Sequence, residues 1–546
     1  MSSKKGAVIL YDTTLRDGTQ QEGISLSVED KIAITLKLDE LGIDYIEGGY
    51  AGANPKDDEY FKKVSSLKLK NSKITAFGNT RKPKVKVSED QSISALLSSK
   101  ASILTIVGKS SAFQVEKILE TSLEENLAMI EDSIRYLKSK NREIFFDAEH
   151  FFDGYKDNPQ YSLQSLNIAI NSGANRIILC DTNGGTLPEE IEQIVSEVIS
   201  KVQNNSAIFG IHTHNDTDTA VASSLSAVKS GVLQVQACIN GYGERTGNAN
   251  MVSIIGYLSV KLGYKTIPKN KISSLTEISN FVAEIVNRRP FPFQPFVGSS
   301  AFTHKGGLHA SGTQKNQDAY QHINPESVGN MSGIVISELS GKSNVMKRVK
   351  DLNLDSVIDN NDAKKIVDIV KNKESEGFTY ESSEASLDII LFKHTPNYEA
   401  PFVLIDFMVL VENKRRSSFG SGWRNDGNEH PMLSEATVKI QVDKEIRHTV
   451  SEGDGPIDAL DKALRKGLKN FYPSIEKIRL TDYKVRVVNE DNGTGATVRV
   501  IIESADEKQV WHTVGASSNI IEASWIALSD SIEWWLIING IKPLIK

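Results

Sequence analysis

The chain predicts an α/β fold class: a TIM (β/α)8 barrel, helical linker subdomains, and a C-terminal α+β domain containing an internal β-β-α repeat. Three observations carry this reading. From Ala7 to about Tyr264, short apolar runs alternate with longer helical patterns. They make eight strand-then-helix units in about 260 residues, the count and size of such a barrel. No Gly-rich phosphate loop accompanies them, whereas the rival open doubly wound sheet normally carries one.

The strand-like runs are Ala7–Tyr11, Tyr45–Glu47, Ile74–Phe77, Ile103–Val107, Ile144–Asp147, Arg176–Cys180, Ala207–Ile211 and Gln234–Ile239. Between them lie amphipathic helical stretches at Val28–Leu41, Val115–Leu137, Pro188–Val202 and Thr219–Ser230, and Ala249–Leu262 follows the eighth run. In the first of these, Ile32, Leu36, Leu38 and Leu41 recur at helical spacing. The rhythm stops near Asn270. Asn287–Asn330 is rich in Gly, Pro, Phe and His and reads as an irregular connector. Asp351–Glu374 reads as a polar helical linker, and strands return after about Tyr398 at Phe402–Val411, Ala436–Gln441 and Val485–Val488. The expected division is therefore 1–270 barrel, 271–395 linker and 396–546 C-terminal domain.

That last part repeats itself. Ala436-Thr437-Val438-Lys439-Ile440 leads to His448-Thr449-Val450, a small-residue turn and a helix at Pro456–Leu468. Ala496-Thr497-Val498-Arg499-Val500 leads to His512-Thr513-Val514, a turn at Gly515–Ser518 and a helix at Asn519–Leu536. Two copies of strand, strand, turn and helix point to a pseudo-two-fold module.

Composition bounds the function. With 39% hydrophobic and 24% charged residues the chain has ample core for two or three domains. A net charge of −7 gives no reason to expect nucleic acid or an acidic membrane as partner. The two cysteines, Cys180 and Cys238, sit in apolar runs, which excludes a disulfide scaffold and suits a reducing compartment. Met1–Gly6 shows no apolar segment of a secretory signal. The run around Trp534–Ile538 is too short, and too interrupted by Asp530 and Glu533, to span a membrane. A cytoplasmic protein is expected.

In a barrel of this type the residues just after each strand form the active site. The first run ends in Tyr11-Asp12-Thr13-Thr14-Leu15-Arg16-Asp17-Gly18, the fifth in Asp147-Ala148-Glu149-His150, and the sixth in Cys180-Asp181-Thr182-Asn183-Gly184-Gly185. The seventh leads into His212-Thr213-His214-Asn215-Asp216, and the eighth into Gly241-Tyr242-Gly243-Glu244-Arg245-Thr246-Gly247-Asn248. Side chains at i and i+2 of a strand share a face, so His212 and His214 can grip one cation from one side. With Asp17 and an Asn they make a mixed N/O set suited to Mn²⁺, Mg²⁺, Zn²⁺ or Co²⁺. Blander readings stand beside this one. A His-x-His pair is often a satisfied surface pair, Asp12 or Asp17 can cap a turn, and Glu244-Arg245 can be a simple ion pair.

The three motifs after the first, seventh and eighth strands resemble the signature of the 2-isopropylmalate, homocitrate and citramalate synthase family. The resemblance covers essentially the whole chain, the repeated C-terminal module being similar to the family's allosteric domain. Glu47-Gly48-Gly49-Tyr50-Ala51-Gly52-Ala53-Asn54-Pro55-Lys56-Asp57 and Asp147–Gly154 look most like the citramalate branch, although that branch usually has Trp-Pro where this chain has Tyr50-Ala51.

The resemblance implies an acyltransferase that condenses acetyl-CoA with pyruvate to (R)-citramalate, on a threonine-independent route to isoleucine. It implies that Asp17, His212, His214 and Asn248 hold the divalent metal. Arg16 would stabilise the oxyanion and bind substrate, and Thr182 would bind the substrate carboxylate. Glu149 would position acetyl-CoA or move a proton. His309, in Gly306-Gly307-Leu308-His309-Ala310-Ser311-Gly312, matches an acid–base histidine supplied by the partner subunit of a homodimer, and Tyr320 matches a similarly placed tyrosine. His304 and Cys238 read as structural. The C-terminal module would bind a branched-chain amino acid, isoleucine for a citramalate enzyme, near Gly455, Pro456, Ile457, Ser518, Asn519 and Ile520. The alternatives are a 2-isopropylmalate or homocitrate synthase acting on a different 2-oxo acid, a metal-dependent acyl-CoA lyase on the same barrel, and an inactive binding protein. A lyase would not carry the connector or the duplicated module, and the loop after the eighth strand has no catalytic-type Cys.

Overall fold

In the computed structural model, the described residues are 6–544 apart from 203–206, 306–308, 310–311, 314, 335–341, 382, 413–432, 489–492 and 494. They form two compact units, one of Met1–Phe302 with Gln321–Ser332 and one of Thr303–Tyr320 with Gly333–Lys546.

The first unit is a closed barrel in which β1 (Ile9–Asp12), β2 (Tyr45–Tyr50), β3 (Lys73–Asn79), β4 (Ile103–Lys109), β5 (Glu143–Glu149), β6 (Arg176–Asp181), β7 (Ile208–Thr213) and β8 (Gln234–Ala237) follow one another around the ring. Closure is made by parallel pairing of β8 with β1, Ile9 facing Gln234 and Asp12 facing Ala237. Because side chains alternate, one set fills the interior and the other packs under the helices. Tyr11, Tyr45, Ile103, Phe145, Ile178 and Cys180 form the interior apolar cluster. Above it lies a polar node, the Tyr11 hydroxyl reaching Glu47 Oε1, Thr75 Oγ1 and Thr105 Oγ1, each at 2.7 Å.

Local signals set the helix ends. Ser27 and Asp30 form a reciprocal capping box at the start of Val28–Leu41, and Gly42, at φ 95°, ends it. The stretch expected as one helix over Val115–Leu137 is instead broken. Gln114–Ile118 is a wide π-type turn, Glu120 takes φ 52°, and Ser122 caps a new helix at Leu123–Ser139. Strand β8 ends at Ala237, earlier than expected, because the chain turns through Asn240 at φ 59°.

In the second unit, β9 (Thr303–His304) and β10 (Gly333–Ile334) pair in parallel. Helices follow at Lys342–Asp351, Asn360–Ser375 and Glu384–Lys393. The expected helix over Asp351–Glu374 is thus divided, since Asn353 takes φ 56° and the Asp359 side chain caps the second helix through the Asn361 and Asp362 amides. Two antiparallel three-stranded sheets complete the unit. One is β11 (Val403–Glu412), β12 (Leu433–Val442) and β13 (Glu445–Gly453), followed by the helix Pro456–Leu468. The other is β14 (Arg479–Val487), β15 (Val498–Ala505) and β16 (Val510–Ser517), followed by the helix Ile520–Ile538.

The repeat is therefore β-β-β-α, with one more strand than the motif alone suggested. Its two copies share a bond: Thr449 Oγ1 donates to the Ala463 carbonyl at 2.8 Å and Thr513 Oγ1 to the Ala527 carbonyl at 2.7 Å. The matching Ala-Thr-Val motifs are not structural equivalents, however. Thr449 faces Val438 whereas Thr513 faces Ile502, four residues beyond the motif's Val498. Each helix buries an apolar face, Leu460, Leu464 and Leu468 in the first and Leu528, Ile532 and Leu536 in the second. A side chain of this kind contributes ~1.5–3 kcal/mol when fully buried. Among the described residues no helix is long and apolar enough to cross a membrane, and both cysteines are buried and free.

Candidate active site and metal centre

A cavity of about 440 Å³ opens at the C-terminal ends of the barrel strands. Arg16, Asp17, Glu149, Thr182, His212 and His214 all line it. Local chemistry explains how the first of these get there. Asp12, at the end of β1, accepts from the Thr14 amide at 3.0 Å and the Thr14 hydroxyl at 2.9 Å. The Thr13 carbonyl then receives the Arg16 and Asp17 amides at 3.1 and 2.9 Å. This tight turn aims Arg16 and Asp17 inward, so Asp12 is a structural acid, pushed up to about 7 by burial.

Asp17 Oδ2 accepts from Asn248 Nδ2 at 3.0 Å and lies 3.3 Å from His212 Nε2 and 3.7 Å from His214 Nε2. The two imidazole nitrogens are themselves 3.1 Å apart. One ligand atom from each of Asp17, His212 and His214 lies within 4.8 Å of the others, and all three residues are buried. Asp17 Oδ1 and Asn248 Oδ1 are buried with no hydrogen-bond partner. The orphaned Asp17 oxygen beside two convergent imidazoles is what a divalent cation would satisfy, and the N/O donor set suits a borderline or hard ion. Burial raises the Asp17 carboxyl, but Arg16 and the two imidazoles outweigh it and hold the group well below the usual range. His212 is raised, Asp17 outweighing burial, whereas His214 is lowered because burial wins over the same Asp17.

Asn248 meets the site with its amide nitrogen. Its Oδ1 rests against Gly243, where an added Cβ would fall 2.0 Å from that oxygen, so the loop needs glycine there. Ligation by this residue requires the amide to turn over.

Arg16 donates from Nε to Glu47 Oε2 at 2.6 Å and lies 3.9 Å over the Phe77 ring. Glu149 pairs through Oε2 with Lys109 Nζ at 2.5 Å. The Thr182 hydroxyl accepts the His150 amide at 2.8 Å and keeps its own proton to donate. Arg245 is not a simple partner of Glu244. Its Nε and Nη2 grip Asp216 at 2.7 and 2.8 Å, and Nη2 also lies 2.8 Å from His214 Nδ1.

The remaining site candidates belong to the second unit. His309 stacks on Tyr320 with ring centroids 4.3 Å apart, and both are exposed. The His304 ring stands edge-on to each at 6.4 Å. Gly306, Gly307, Leu308, Ala310 and Ser311 of the connector lie outside the described residues. Gly455, Pro456 and Ile457 open the helix Pro456–Leu468, with no side-chain cap. Ser518, Asn519 and Ile520 open Ile520–Ile538, which Asn519 caps.

Sequence reasoning missed Glu47 and Gln236 and read Asp147 only as part of the cluster ending the fifth strand; all three are buried. Asp147 is pushed up to about 7, first by burial and then by Glu47. The signal that could have found them is inward alternation: Tyr45 and Glu47 share a face of β2, so an acid in an apolar run has to point into the barrel.

Comparison with known proteins agrees with this architecture. Residues 7–282 match the HMGL-like family, 296–377 the homocitrate synthase post-HMGL domain-like family, and 381–536 the LeuA allosteric (dimerisation) domain. The barrel is thus of the HMGL-like family, followed by domains of the homocitrate synthase and LeuA types. The (R)-citramalate synthase of Aquifex aeolicus is 50% identical over 97% of this chain and 98% of its own length. That of Geobacter sulfurreducens is 45% identical over 97% of each chain. The 2-isopropylmalate synthase of Methanocaldococcus jannaschii is 30% identical over 96% of this chain and 94% of its own. The chain belongs to the (R)-citramalate synthase family, enzymes of the acyltransferase type.

Proposed function

We propose that this enzyme condenses acetyl-CoA with pyruvate to give (R)-citramalate and free CoA. What supports the reading is 50% identity to an (R)-citramalate synthase along nearly the whole chain, joined to the convergence of Arg16, Asp17, His212 and His214 in one cavity.

Asp17, His212, His214 and, with its amide turned, Asn248 would hold a divalent cation. When bound there, the ion supplies Lewis-acid polarisation of a keto carbonyl and a fixed point for the adjoining carboxylate. The chain's own groups do the rest. Arg16, held by Glu47, offers a permanent cation to the negative charge that grows on the keto oxygen as the new carbon–carbon bond forms. The Thr182 hydroxyl donates to the pyruvate carboxylate. Glu149, steadied by Lys109, and the partner subunit's His309 and Tyr320 carry the proton transfers. A methyl proton leaves acetyl-CoA, the enolate carbon attacks the keto carbon, and the alkoxide is protonated. Water then cleaves the thioester to release CoA and citramalate. In this division 1–270 holds the chemistry, 271–395 presents His309 and Tyr320, and 396–546 carries dimerisation and control.

Free-thiol release from acetyl-CoA with a panel of 2-oxo acids tests the reading. Pyruvate should give the highest kcat/KM. A preference for 3-methyl-2-oxobutanoate would transfer the chain to the 2-isopropylmalate reading. We also propose that isoleucine inhibits through the helix starts at Gly455–Ile457 and Ser518–Ile520, in an enzyme of the cytoplasm. Turnover unchanged across an isoleucine titration would remove that part.

A further inference from the structure

The two histidines of the proposed metal centre have opposite surroundings at their far nitrogens. His212 Nδ1 lies 2.9 Å from Gln236 Oε1, and Gln236 Nε2 donates to Asp147 Oδ1 at 3.1 Å. His212, Gln236 and Asp147 come from β7, β8 and β5, and none is more than 5% exposed. His214 Nδ1 instead faces Arg245 Nη2 at 2.8 Å.

The chain of donors fixes a tautomer. An ionised Asp147 presents only acceptor oxygens, so the Gln236 amide turns its NH₂ toward Asp147 and leaves its carbonyl for His212. A reversed amide would set a carbonyl against the Asp147 oxygen and lose that bond in a buried place, at a cost of about 1–3 kcal/mol. With Oε1 facing it, His212 carries its proton on Nδ1, and its Nε2 lone pair points at Asp17 and His214. Arg245 has no acceptor to offer, since a guanidinium only donates. It therefore does not give His214 the same preparation.

We propose that Gln236, oriented by Asp147, is a positioning residue that presets His212 as the fixed nitrogen ligand of the metal centre. The proposal rests on the metal reading above. Outer partners of metal-bound histidines set ring orientation and ligand basicity, and their loss costs about 10–100-fold in metal affinity.

The test is Co²⁺ titration of the chelator-stripped full chain, followed by calorimetry and by the visible absorption of the bound ion. The unaltered protein should take one equivalent. Gln236→Met, close in shape but without an acceptor, should bind about 10–100-fold more weakly with an altered Co²⁺ spectrum. Asp147→Asn keeps an oxygen for Gln236 Nε2 and should stay near the unaltered affinity, whereas Asp147→Leu frees the amide and should weaken binding. The Asn and Leu pair also separates orientation from charge, because both remove the carboxylate. Equal affinity and spectrum in Gln236→Met, or in Asp147→Leu should the methionine variant not fold, would overturn the proposal and leave the metal reading standing. Failure of the unaltered protein to bind one equivalent would overturn both.

Discussion

At the barrel mouth, polar atoms from the ends of β1 and β7 and the loop after β8 point at one another, and two buried oxygens, Asp17 Oδ1 and Asn248 Oδ1, are left without partners. In the repeated module the matching threonine hydroxyls each close on a helix carbonyl, the half-buried Thr449 on Ala463 and the buried Thr513 on Ala527. The first region keeps buried polar groups unsatisfied, which costs stability and is expected where a ligand completes the set. The second satisfies its groups twice over in the same way, as a scaffold does. Function and support are thus distinguishable by where the hydrogen bonds end.

Substitutions sharpen that contrast, and the largest effect belongs at the mouth. The double change Asp17→Ala, His212→Ala should lower kcat/KM for pyruvate by about 1,000-fold or more, the loss of roughly 4 kcal/mol of transition-state stabilisation. Turnover at the unaltered rate would contradict the role of the cluster. Arg16→Lys keeps a charge but loses the fork that reaches both Glu47 and the cavity. It should reduce kcat by about 100–1,000-fold in steady-state assays with little change in melting temperature.

In the module, Thr449→Val and Thr513→Val should each cost about 1 kcal/mol in denaturant unfolding and leave the KM for pyruvate unchanged. A large cost at one position and none at the other would break the equivalence of the two copies.

The smallest effect is on pH dependence. Asp12 is held up near 7 by burial, so its favourable, protonated state is fully present below the unfolded value of about 4. That stability is lost as pH rises through about 7. Asp12→Asn should therefore gain melting temperature relative to the unaltered protein between pH 4 and 7 and then level off. A constant difference across this window would show that the buried acid does not titrate there.

Much of the fold and of the mouth is legible in the sequence itself. Strand periodicity locates the mouth because each β-run ends in a polar cluster, and the i, i+2 rule puts His212 and His214 on one face. Glu47, Asp147 and Gln236 are harder to see, because each sits within a strand rather than after it. Only closure of the ring, β8 against β1, brings Gln236 on β8 within reach of Asp147 on β5. The repeat is visible in His448-Thr449-Val450 and His512-Thr513-Val514, but its strand motif slips by four residues because Thr449 follows Val438 by 11 residues and Thr513 follows Val498 by 15. The helix over Val115–Leu137 fails at Glu120, where a positive φ is tolerated and Ser122 restarts the chain. The tautomer-setting partner of His212 is invisible, since hydrogen-bond direction across a barrel has no signature in spacing.

The most direct test of the account is CoA release from acetyl-CoA and pyruvate before and after removal of divalent ions. The account predicts CoA release with pyruvate, its loss on chelation, and its return when Mn²⁺, Mg²⁺, Zn²⁺ or Co²⁺ is restored. Release that continues undiminished in the chelated protein, or that requires a longer 2-oxo acid, would contradict it.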